Sequence, residues 1–123
     1  MFLSFLAITK SLPRQFYALG SDKRSFKQYV DHLDTSSEEQ FDQFYYVNDT
    51  WWKDPKDTIL LYIGSDVDIR FWPDTPIYEL AEQTNALVVS LEHRFFGESF
   101  PFEELTTENL RTLNTRQVLA DIA

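Results

Sequence analysis

TILLYI at residues 58–63 and ALVVSL at residues 86–91 are the two stretches that decide the fold. Each is a short, continuous apolar run bounded by polar or turn-forming residues. That is how a strand reads when both of its faces are buried, because alternation is lost once neither side meets water. Between them lies a helix signal. Thr75 suits the N-cap, and Pro76 suits the first helical position, where a missing N–H costs nothing. Ile77, Leu80, Ala81 and Thr84 recur at helical spacing on one expected face, with Glu79 and Glu82 pointing elsewhere and Asn85 as a C-terminal stop. Strand, helix, strand is a βαβ unit, so the two strands are expected to be parallel and joined by a right-handed crossover.

Upstream, SFKQYV (25–30) alternates polar and apolar residues, and FDQFYYV (41–47) has the aromatic and β-branched composition of a pleated surface. The polar DHLDTSSEEQ (31–40) between them reads as a surface turn, which predicts an antiparallel strand pair over Ser25 to Val47. Downstream, Asn114 followed by Gln117 resembles a helix-capping pair, and Val118, Leu119 and Ile122 begin an amphipathic stripe. Ala123 falls about two turns into that helix, a length that is marginal in water by itself. The expectation is therefore an α/β chain interrupted within its sheet. Residues 25–123 form the first portion of the domain, and residues 1–24 form an N-terminal arm or a signal segment. MFLSFLAI (1–8) is apolar but far shorter than the roughly 20 residues of a membrane span, and it lacks basic residues ahead of it.

The 123 residues include 11 Phe, 6 Tyr and 3 Trp, and 43% are hydrophobic, ample for a packed core. Eleven basic residues against 20 acidic ones give a net charge of −9. Such a surface repels a phosphate backbone, so nucleic-acid binding is excluded. The chain has no cysteine, which rules out a disulfide framework, a zinc–thiolate site and a thiol nucleophile. Only His32 and His93 are present, without H-E-x-x-H spacing, so no metal or other cofactor is expected.

Five stretches carry residue types suited to chemistry, binding or modification. Ser99, in Gly97-Glu98-Ser99-Phe100-Pro101, sits where a nucleophile would, but G-x-S-x-G needs a second small residue where Pro101 stands. A turn role is preferred. Glu92-His93-Arg94 follows the second buried run, at the strand end where open α/β sheets place catalytic groups. His93 as base or Glu92 as acid competes with a structural reading, which is preferred: the charged side chains pair with one another and with nearby backbone to hold a turn that includes Gly97. Gly64-Ser65-Asp66-Val67-Asp68 is too poor in glycine and lysine for a phosphate loop. In α/β-hydrolases the equivalent loop lends a backbone N–H to the oxyanion hole, and Gly64, Ser65 and Asp66 are its candidates here. Trp51-Trp52 and Phe71-Trp72 suit a sugar platform or, preferably, the rim of a core. Asn48-Asp49-Thr50 fits a glycosylation sequon.

Several segments together resemble one family: the serine peptidases comprising lysosomal Pro-X carboxypeptidase, dipeptidyl peptidase II and the thymus-specific serine protease. They are FKQYVDHLD (26–34), FDQFYYVND (41–49), ILLYIGSDVDI (59–69), LAEQTNALVVSLEHRFFGESFP (80–101) and NLRTLNTRQVLADIA (109–123). EHRFFGESFP is the most specific, close to the family's E-H-R-Y-Y-G-E-S-x-P. The resemblance implies an α/β-hydrolase fold with a helical cap, cleavage after proline in a peptide substrate by a Ser-Asp-His triad, and lysosomal or secreted residence. It also implies a nucleophile elbow later than Ala123, so that no triad residue falls within these residues. The chain departs from the family where Val67 replaces a glycine of the G-G/N-E-G loop and where Phe95 and Phe96 replace tyrosines. The alternative is a non-catalytic hydrolase-like remnant with a binding role or none. With its next strand missing, the 58–63 run should present an apolar edge, and self-association of the chain is expected.

Overall fold

The computed structural model describes residues 21–54, 56, 58–64 and 76–123. The hairpin is the first element. Strand β1 (Ser21–Tyr29) pairs antiparallel with β2 (Gln40–Asn48) in a register that puts Ser21 opposite Asn48 and Tyr29 opposite Gln40. The intervening turn is built by aspartates. Asp31 Oδ1 accepts from Leu33 N–H at 2.9 Å, and Asp34 Oδ1 accepts from Ser36 N–H at 3.0 Å. Such side-chain bonds mimic backbone turns.

Those contacts have an acid-stability consequence. The Asp31 carboxyl is held below the usual aspartate range, chiefly by the Leu33 N–H and further by the Gln117 amide. Asp34 is lowered likewise by the Ser36 hydroxyl and N–H. A carboxylate with a depressed folded-state pKa stabilises the fold above its unfolded pKa of about 3.9 and loses that contribution as pH falls through the folded value. Thermal midpoints followed by circular dichroism should therefore fall below about pH 4, and Asp31→Asn should flatten part of that acid limb. An unchanged acid limb in the variant would contradict it.

The expected βαβ unit forms. β3 (Ile59–Gly64) and β4 (Leu87–Glu92) are parallel, with Ile59 opposite Leu87 and Gly64 opposite Glu92. Helix α1 (Pro76–Thr84) lies between them in sequence. Thr75, the proposed cap, lies outside the described residues. At the other end, Asn85 takes φ 53° and the Ala86 N–H reaches back to the Ala81 carbonyl at 3.0 Å. This is the left-handed stop that an asparagine tolerates. β2 also pairs antiparallel with β4, giving a four-stranded mixed sheet in the order β1-β2-β4-β3. A 3₁₀ turn (Asn109–Thr112) and helix α2 (Thr115–Asp121) complete the described chain.

The two sheet faces are unlike. One is covered by α1, where Tyr78, Ala81, Ala86 and Val88 form a buried cluster joined by Trp51, Leu60 and Ile77. Ile77 and Ala81 face inward as their spacing suggested, but the inward side is rotated away from Leu80 and Thr84. Tyr78 and Ala81 are buried, while Leu80 and Thr84 are exposed. The larger Tyr78 ring displaces Leu80 as the anchor, meeting Trp51 at 5.7 Å between centroids. Trp51 thus covers the rim of the core, whereas Phe71 and Trp72 lie outside the described residues. The opposite face carries a buried polar layer under β1 and β2. Toward β3 that face is open, with Ile59, Leu61 and Ile63 at 60%, 49% and 36% exposure. β3 is therefore half-buried on one face and exposed on the other, a correction to the reading of TILLYI as covered on both sides. A second layer of helix over those three residues is what a fully buried strand would need, and the described elements do not supply it.

α2 corrects a second expectation. Asn114 caps it as read, its Oδ1 accepting from the Gln117 N–H at 3.1 Å. The inward residues, however, are Gln117 and Asp121, while Leu119 and Ile122 are exposed. A buried guanidinium on the sheet side selects the polar stripe over the apolar one.

Candidate functional site

The turn that leaves β4 gathers the candidate residues. After Glu92 the chain reverses tightly: Phe96 N–H bonds to the His93 carbonyl at 3.0 Å, Ser99 N–H to the Phe96 carbonyl at 3.0 Å, and Phe95 N–H to the Ser99 carbonyl at 2.8 Å. Phe95 and Gly97 adopt φ 68° and 59°. The Glu92 carboxylate lies inside the loop and organises it. Oε2 accepts from Glu98 N–H at 2.9 Å and from the Ser99 hydroxyl at 2.8 Å, and Oε1 accepts from the Tyr46 hydroxyl at 3.1 Å.

Ser99 is fully buried, and its oxygen is occupied twice, donating to Glu92 and accepting from the Phe44 N–H at 2.8 Å. A nucleophile needs an open approach for substrate as well as an adjacent base; the buried Ser99 hydroxyl has no such approach, and its Glu92 acceptor is shared with Tyr46 and Glu98. His93 donates from Nδ1 to the Arg94 carbonyl at 2.7 Å, since a carbonyl can only accept, and its ring meets Phe96 edge-on at 5.1 Å.

Arg94 turns through the sheet to the polar layer, where it is fully buried. Its Nε and Nη2 make two bonds to the Asp121 carboxylate, at 2.8 Å and 2.5 Å. The remaining donors reach the carbonyls of Val30 at 2.8 Å, Thr112 at 3.2 Å and Tyr29 at 3.1 Å. One planar guanidinium thereby joins the end of β1, the turn before α2 and α2 itself. Such a fork-to-carboxylate pair is among the stronger polar contacts available to a protein. Asp121 also meets His32 Nε2 at 2.9 Å. Around this pair, Gln28 donates to the Asp121 carbonyl at 3.0 Å and to Gln43 at 3.2 Å, and Gln43 donates to the Glu92 carbonyl at 2.8 Å. Gln117 accepts from the His32 N–H at 2.9 Å and donates to Asp31.

Glu92, His93 and Arg94 are thus adjacent in sequence but do separate work. Glu92 and His93 bond within the turn, His93 to the Arg94 carbonyl, while the Arg94 side chain finds its partners in β1 and α2. Asp121, Gln28 and Gln43 were absent from the sequence reading. The available signal was polar residues on strand positions shared with Phe26 and Phe41, and an aspartate one turn after Gln117.

Gly64 ends β3 directly beside Glu92. A Cβ there would make only ordinary contacts, the nearest being the Leu91 carbonyl at 3.4 Å. Ser65, Asp66 and Val67 lie outside the described residues. Asn48, the sequon asparagine, is 2% exposed with its Nδ2 buried and its Oδ1 accepting from the Thr50 N–H at 3.0 Å. Among the described residues, no group of three or more His, Cys, Asp or Glu side chains could hold a metal ion, and no helix is long and apolar enough to cross a membrane.

Comparison with known proteins fits this arrangement. Lysosomal Pro-X carboxypeptidase of Pongo abelii is 38% identical over 103 residues, covering 80% of this chain and 21% of that protein. The Homo sapiens protein of the same name is 37% identical over 103 residues, with the same coverage of 80% and 21%. Serine protease vicPa of Bipolaris victoriae is 38% identical over 111 residues, covering 85% of this chain and 20% of that protein. The chain spans about a fifth of the length of these curated relatives. The family model described as serine carboxypeptidase S28 matches residues 28–123, from the buried Gln28 through the Glu92–Ser99 turn to Asp121 and beyond, and the chain belongs to that family.

Proposed function

We propose that residues 25–123 build the first part of an α/β-hydrolase sheet in a serine peptidase that cleaves peptides beside proline, in a lysosomal or secretory compartment. The match of residues 28–123 to the serine carboxypeptidase S28 model carries this reading. The proline preference and the lysosomal setting follow the printed names of the relatives. In this reading the segment contributes scaffold and not nucleophile. No G-x-S-x-G occurs among the 123 residues, and the two histidines are engaged with Asp121 and with the Arg94 carbonyl. The Glu92–Ser99 turn holds the C-terminal end of β4 in place beside Gly64. From that position the loop of Gly64, Ser65 and Asp66 would lend one backbone N–H to an oxyanion hole, a donor that helps only when fixed before the charge develops.

A fluorophosphonate probe tests the division of labour. The 123-residue chain should not label and should not hydrolyse a prolyl peptide. A product of the whole reading frame carrying a G-x-S-x-G elbow should label, and replacing that elbow serine with alanine should abolish the label. Labelling at Ser99 would refute the scaffold assignment. A whole reading frame without an elbow, and without labelling, would favour the non-catalytic remnant.

A further inference from the structure

We draw no further inference here: the strongest candidate, the pair of buried donors formed by Asn48 Nδ2 at the end of β2 and Trp52 Nε1 in the turn that follows, meets no acceptor among the described residues, and nothing in the structure shows what covers it.

Discussion

Arg94→Ala is expected to remove about 3–5 kcal/mol of folding stability, a large share of the 5–15 kcal/mol typical of a folded domain. The magnitude follows from what the substitution strands. The Asp121 carboxylate is buried and would lose both guanidinium bonds, keeping only its contact with His32. The carbonyls of Tyr29, Val30 and Thr112 would lose a donor at the same time. A buried charge without its partner is costlier than no charge at all, which supplies the control. Arg94→Met combined with Asp121→Leu removes the charge with its partner and should recover part of the loss, the residual cost lying with the carbonyls. Arg94→Lys should recover little, since an ammonium cannot fork across a carboxylate and reach three carbonyls in one plane. Urea unfolding of the variants, followed by circular dichroism, reads all of these. If Arg94→Ala shifts stability by less than about 1 kcal/mol, within the range of exposed pairs, the guanidinium is not holding the layers together.

This cluster also marks the boundary of what was legible in the chain. The parallel pair of β3 and β4 was visible because continuous apolar runs flanking a capped helix have few alternative arrangements. The hairpin was visible because polar and apolar residues alternate on either side of an aspartate-rich turn. The polar layer was not. Gln28, Gln43, Gln117 and Asp121 each look like ordinary surface residues in their own segments. Only the register of β1 against β2, together with the docking of α2, brings them around Arg94. For the same reason the apolar stripe of Val118, Leu119 and Ile122 reads as the packing side of α2, although only Val118 of the three is even half-buried. An apolar stripe wins by default unless a buried charge on the facing element demands partners, and that charge lies 27 residues away from Asp121. EHRFFGES could be matched to a family motif, yet the separate partners of its glutamate, histidine and arginine follow from geometry that no local pattern encodes. The one-sided burial of β3 likewise depends on which elements lie above it.

Gly97→Ala is expected to cost about 2–4 kcal/mol, from two sources that can be separated. The first is conformational. Gly97 sits at φ 59°, where a Cβ crowds the following carbonyl at about 1–2 kcal/mol. The second is a collision: an added Cβ would stand 2.5 Å from the Glu92 Cδ and Oε1 and 2.6 Å from its Oε2. A free glutamate could swing aside cheaply, but this one is held by the Tyr46 hydroxyl, the Ser99 hydroxyl and the Glu98 N–H. Moving it breaks bonds to a charged acceptor and leaves the buried Ser99 hydroxyl without its acceptor. A double-mutant cycle with Glu92→Ala isolates this second source. In the Glu92→Ala background the clash has no target, so Gly97→Ala should cost only the left-handed penalty of about 1–2 kcal/mol, and the two substitutions should be clearly less than additive. Full additivity would mean that Glu92 is free to move and does not organise the turn. The same cycle bears on the serine. If the Glu92 carboxylate is what fixes the Ser99 oxygen against the Phe44 N–H, then Glu92→Ala by itself should speed amide exchange at Phe44.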